Sequence, residues 1–137
     1  MKESWVYRRG DIYLANLNPF RGSEQGGKRP VLVLQNNTGN IHSSTIIVAT
    51  MTSQTDKKAD QPTHYLLPPV GRLRTRSVVQ LEQIKTIDKC RVIEYFGRVP
   101  AEHMKAINQR IKISLGIIRI PWEYQIQEAE TEERNNV

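Results

Sequence analysis

From Ile12 to Gly97 the chain is a series of short apolar runs cut by clusters of turn formers, and a helical period appears only after Pro100. Ile12 to Ala15, Val31 to Gln35, Ser44 to Thr52, Thr63 to Leu67 and Val92 to Gly97 read as strands. Ser77 to Leu81 and Ile84 to Ile87 read as two strand pieces broken by Glu82-Gln83. The breaks fall at Asn16 to Pro19, at Asn36 to Asn40 and at Pro68-Pro69, where Asn, Gly and Pro favour turns. Beyond Pro100, Met104, Ile107, Ile111, Leu115 and Ile118 recur at spacings of three and four, which define one helix face. Pro100 suits the first turn, Glu102 the positive end of the helix dipole, and Pro121 is the expected stop. Short strands closed by one amphipathic helix predict a mainly β fold, a small antiparallel barrel or half-barrel.

At 137 residues the chain fits a single domain. We place it at residues 1–122, with 123–137 an acidic segment too poor in apolar residues to fold. That segment holds five glutamates and one arginine, so the net charge of +6 conceals a body carrying about ten excess positive charges. A body this basic makes nucleic acid the first partner class to expect. The longest apolar runs are far too short to span a bilayer, and Met1 to Trp5 lead into no signal-like apolar stretch. One cysteine, Cys90, permits no internal disulfide. A reducing cytoplasm, with no membrane partner, is expected.

Two polar loops interrupt the strands. The first, Gly22-Ser23-Glu24-Gln25-Gly26-Gly27-Lys28-Arg29-Pro30, combines three glycines with a hydroxyl, a carboxylate, an amide and two cations. The second runs from Ser53 to Gln61. Arg29 closes one loop and Thr52 opens the other. If their strands are neighbours, a guanidinium and a hydroxyl converge on one phosphate. The first loop also reads as a plain solvated hairpin loop, and spacing does not choose between the two. His42, His64 and His103 fall in three different elements without metal-ligand spacing, so no metal is expected. Cys90 has cationic neighbours but no histidine at a revealing spacing, and the glycine loop matches neither a Walker nor a dinucleotide pattern.

Arg9-Gly10-Asp11-Ile12-Tyr13 and Gly22 to Asn36 together resemble the MazF/PemK toxins of bacterial toxin–antitoxin pairs. The likeness continues through Thr45 to Ala49, Thr52-Ser53-Gln54, Pro62-Thr63-His64 and Leu81 to Lys89, in order over roughly residues 8 to 118. It is nearest to the endoribonuclease branch of Gram-positive bacteria. The resemblance implies an SH3-like barrel with a C-terminal helix, acting as a homodimer without a cofactor. It implies metal-independent cleavage of single-stranded RNA at a short sequence, inhibited by a small MazE-like antitoxin. Carried over by position, Arg29 and Thr52 match the catalytic pair. Glu24 joins them, as the group that orients Arg29 or as the base. Ser23, Gln25, Gln54, Glu82 and Gln83 fall where the family holds RNA.

Residues 65–76 depart from the family pattern, and Arg72, Arg74 and Arg76 make that turn unusually basic, which suggests extra phosphate contacts. Two other functions are compatible with this fold: a gyrase poison resembling CcdB, and a nucleic-acid-binding repressor. The CcdB-like terminus Trp-Gly-Ile is absent, since Glu123 follows Trp122.

Overall fold

The computed structural model describes residues 5–19, 21–53 and 61–120. Gln54, most of the second polar loop and the acidic segment lie outside these described residues. Six strands form one antiparallel sheet: β1 (Asp11–Asn16), β2 (Lys28–Val33), β3 (Thr45–Thr52), β4 (His64–Leu67), β5 (Ser77–Asp88) and β6 (Val92–Arg98). Their order is β4-β5-β3-β2-β1-β6. Two helices accompany them, α1 (Asn37–His42) and α2 (Ala101–Ser114). No helix among the described residues is long and apolar enough to cross a membrane.

β2 ends in unbroken Val31-Leu32-Val33 because both faces of the sheet are covered there. Val31 and Val33 pack with Tyr7, Tyr13, Ile46 and Val48 in one cluster, against which Trp5 is laid. Leu32 packs on the other side with Ile12, Met51 and Ile107, the last from α2. The aromatic end of the first cluster is tight: Trp5 stacks on Tyr13 with centroids 5.9 Å apart, and Tyr7 lies 5.0 Å from Tyr13. Burial, reinforced by neighbouring Asp11, pushes the Tyr13 phenol well above its ordinary range.

Several sequence expectations shift. β2 starts at Lys28 rather than Val31, so Pro30 sits inside a strand. This is permitted because β3 pairs with β2 only from Val31 onward, leaving Pro30 with β1 as its one neighbour. Asn36 to Asn40 forms not a turn but the start of α1, because the Asn36 side chain accepts the Gly39 N–H at 2.8 Å and caps it. The two strand pieces at 77–87 are one strand with a bulge. Ala49 faces Ile84 while the next residue, Thr50, faces Gln80, so Leu81, Glu82 and Gln83 are extra on β5.

The helix face is also shorter than its period suggests. Pro100 is the N-cap rather than a first-turn residue, and α2 ends at Ser114, ahead of Pro121. Gly116 takes φ +74°, its N–H bonds Ile113 O, and Ile117 N–H bonds Lys112 O at 2.8 Å. That pairing is the left-handed glycine stop of a helix. Ile107 is buried and Met104 and Ile111 pack on the core, but Leu115 and Ile118 lie past the stop and are exposed.

The sheet curls until its two edges nearly meet. After β4, Val70 and Leu73 exchange two backbone hydrogen bonds, and Arg72 N–H donates to Phe96 O of β6 at 2.7 Å. Leu73 is buried between them. The result is the small, partly open barrel with a C-terminal helix that the sequence leads one to expect.

Candidate functional site

The ladder between β2 and β3 stops at Val31 opposite Thr50. Continuing that register two residues along each strand puts Arg29 across from Thr52, where the strands have parted. β1 still supports β2 there, pairing Ala15 with Arg29 and Asn16 with Lys28. The parting opens a cavity of about 430 Å³, lined by polar Lys28, Arg29, Thr52, Ser53, Arg72 and Arg74 around apolar Leu14, Met51, Leu73 and Phe96. Low-polarity walls under a ring of cations strengthen the attraction for an anion entering from water.

Arg29 is aimed by its own loop. Its Nε donates to Gly26 O at 2.7 Å, while its two terminal nitrogens have no partner among the described residues. A guanidinium held by one edge presents its remaining donors as a pair, the geometry that fits two phosphate oxygens. The loop is fixed at its base. Gly27 N–H bonds Asn18 Oδ1 at 2.9 Å, and Leu17 N–H bonds Gly27 O at 2.9 Å. Gly27 needs its φ of +77° to make that exit. Thr52 is largely buried at the end of β3, on the opposite wall.

The remaining expected site residues stand elsewhere. Glu24 is on the exposed part of the loop, 3.6 Å from Lys85 Nζ of β5, and does not line the cavity. Ser23 is exposed and Gln25 half-buried on the same loop, also off the cavity. Gln54 lies outside the described residues. Glu82 and Gln83 occupy the β5 bulge, which turns Leu81 inward and Glu82 outward. The Glu82 carboxylate is held at both oxygens: Thr63 Oγ1 donates at 3.3 Å, and His64 Nε2 lies 2.6 Å away. His64 is buried, so the exposed carboxylate rests on a rigid support.

Two features escaped the reading of the sequence. His64 carries no metal-ligand spacing and no other signal in the sequence, and only the pairing of His64 with Gln80 shows it beneath the bulge. The basic turn was visible as alternating arginines, but its place opposite Arg29 depends on the curl of the sheet. His42 and His103 remain apart from the cavity; His103 Nδ1 lies 2.6 Å from Tyr65 Oη.

Comparison with known proteins gives this geometry a setting. A family model described as the PemK-like, MazF-like toxin of type II toxin–antitoxin systems matches residues 8–115. The chain is 49% identical over 113 residues to Endoribonuclease MazF of Staphylococcus saprophyticus, covering 82% of this chain and 93% of that relative. Among solved structures it is similar to MazF of Deinococcus radiodurans, at 26% identity and a TM-score of 0.71, over 82% of this chain and 99% of the other. It is also similar to a mycobacterial endoribonuclease solved with its cognate antitoxin, at 26% identity and a TM-score of 0.63, over 85% of this chain and 97% of that one. The match spans the sheet, both walls of the cavity and all of α2, and the chain belongs to the PemK-like, MazF-like toxins of type II toxin–antitoxin systems.

Proposed function

We propose that the protein is an endoribonuclease toxin that cuts single-stranded RNA at a short sequence, with Arg29 and Thr52 as its catalytic pair. The observation that supports this reading is that Arg29, with two open guanidinium nitrogens, and Thr52 line one cavity. RNA supplies its own nucleophile. The 2′-oxygen attacks the adjacent phosphorus, the P–O5′ bond breaks, and a 2′,3′-cyclic phosphate and a 5′-hydroxyl result. The 2′-hydroxyl loses its proton and the departing 5′-oxygen gains one. Arg29 donates two hydrogen bonds to the non-bridging oxygens as charge gathers on them, and Thr52 Oγ1 adds a third. Alignment of the 2′-oxygen with the leaving oxygen is the other large contribution.

Glu24 acts on this site through the loop. Its pairing with Lys85 tethers the loop tip, and the same loop presents Gly26 O to Arg29 Nε. An exposed ion pair of this kind contributes at most about 1 kcal/mol, so Glu24 tunes the loop rather than holding it. Ser23, Gln25, Gln54, Glu82 and Gln83 read unpaired bases by hydrogen bonds to their edges. A small cognate antitoxin restrains the toxin in the cytoplasm. Exposed Leu115, Ile117 and Ile118, just past the stop of α2, offer apolar surface for a homodimer.

Incubation of the purified protein with a long RNA tests the function. The expected result is a limited set of discrete cuts that share a short sequence and disappear when the cognate antitoxin is added. Intact RNA beside gyrase-trapped DNA would replace the endoribonuclease by a gyrase poison.

A further inference from the structure

Taking the endoribonuclease reading as its basis, we propose that Arg74 binds the RNA phosphate next to the one being cut, making the 70–76 turn a second, built phosphate site. Arg74 lines the same cavity as Arg29 and Thr52. Its position is set by the backbone, not by a loose loop. Gly71 holds φ +55° against β6, and a Cβ there would lie 2.3 Å from Phe96 O. Leu73 is buried, and its backbone exchanges two hydrogen bonds with Val70. One residue later, the chain has little freedom but to present Arg74 at the cavity rim.

The neighbouring cations divide the work. Arg72 lies 3.3 Å from Glu94 of β6 and is partly neutralised by it. Arg76 is exposed and does not line the cavity. Arg74 has no hydrogen-bond or ion-pair partner among the described residues, so its charge faces the cavity undiminished. A single strand that places one phosphate between Arg29 and Thr52 must bring a neighbouring phosphate out over one rim. On the rim formed by this turn, Arg74 is the cation that awaits it.

The test is the salt dependence of binding, using a single-stranded RNA that contains the mapped cleavage sequence with a 2′-deoxy scissile nucleotide. Each phosphate contact to a single strand contributes a slope of about −0.7 in log affinity against log salt. Arg74→Ala is expected to flatten the slope by about that amount and to raise KM roughly three- to tenfold at unchanged kcat. Arg76→Ala, which removes the same charge off the cavity, should leave slope and KM near the parent values, and Arg74→Lys should restore the slope. An unchanged slope in Arg74→Ala, or equal flattening in Arg74→Ala and Arg76→Ala, would overturn the site in favour of a diffuse basic surface. Failure of the parent protein to cut any RNA would instead remove the endoribonuclease reading itself.

Discussion

Arg29→Ala is expected to lower the single-turnover rate of RNA cleavage by about 10²–10³-fold, the usual cost of removing one preorganised donor at a developing oxyanion. Its fold should survive. Arg29 is half-buried, and the one hydrogen bond its side chain makes among the described residues is to Gly26 O, worth about 1 kcal/mol. Thermal unfolding therefore separates the two roles: a near-parental transition with lost activity marks a catalytic side chain, whereas a collapsed transition marks a structural one. Arg29→Lys is a sharper probe, because it keeps the charge and discards the paired donors. If geometry matters more than charge, the lysine variant recovers little of the rate. Thr52→Val, nearly the same shape, should lose less than Arg29→Ala. The double variant should fall short of the product of the two losses, since both groups act on one phosphate.

Gly71→Ala has the largest expected effect on stability. Its φ of +55° alone costs an alanine roughly 1–3 kcal/mol. The new Cβ would also stand 2.3 Å from Phe96 O, a contact with backbone on a hydrogen-bonded strand that cannot simply turn aside. Gly22 supplies the control, having a nearly equal φ of +57° with nothing within 4 Å of its would-be Cβ. In chemical denaturation, Gly71→Ala should be less stable than Gly22→Ala by about 1–3 kcal/mol, the range for forced overpacking. The same variant should weaken RNA binding, because the turn that carries Arg72 and Arg74 must leave β6. Equal stability of the two glycine variants would show that the turn is not fixed there.

Much of the fold is legible in the sequence because burial on both faces produces a recognisable pattern. Val31-Leu32-Val33 and Ile46-Ile47-Val48-Ala49 are continuous apolar runs, and each is a central strand. What escapes are features in which one residue overrides a pattern. Leu115 and Ile118 extend the helical period, yet the helix ends at Ser114, where Gly116 closes it by accepting a left-handed backbone. Glu82-Gln83 reads as a break between strands, whereas the strand continues and its pairing with β3 slips. Pro30 reads as a strand boundary, although its missing N–H is harmless where β3 has already withdrawn.

The site divides in the same way. Arg29 and Thr52 stand out as loop-end residues of the right chemistry, but twenty-odd residues of sequence separation hide their meeting, which rests on the β2–β3 register. Arg74 joins them only because a curled sheet brings the β4–β5 connection onto β6, a contact no local pattern encodes. The support of Glu82 by buried His64 is hidden for a related reason, since it depends on which β5 residue lies across from β4.

The most direct measurement of the central claim is the chemistry of the cut ends made in excess EDTA. Purified protein, incubated with RNA under chelation, should leave 5′-hydroxyl ends that a kinase labels without prior dephosphorylation, and 3′ ends that carry a cyclic phosphate. Replacing the scissile nucleotide by its 2′-deoxy form should abolish the cut at that position. Cleavage that stops in EDTA, leaves 5′-phosphates, or proceeds at the 2′-deoxy position would contradict attack by the substrate's own hydroxyl at the Arg29–Thr52 cavity.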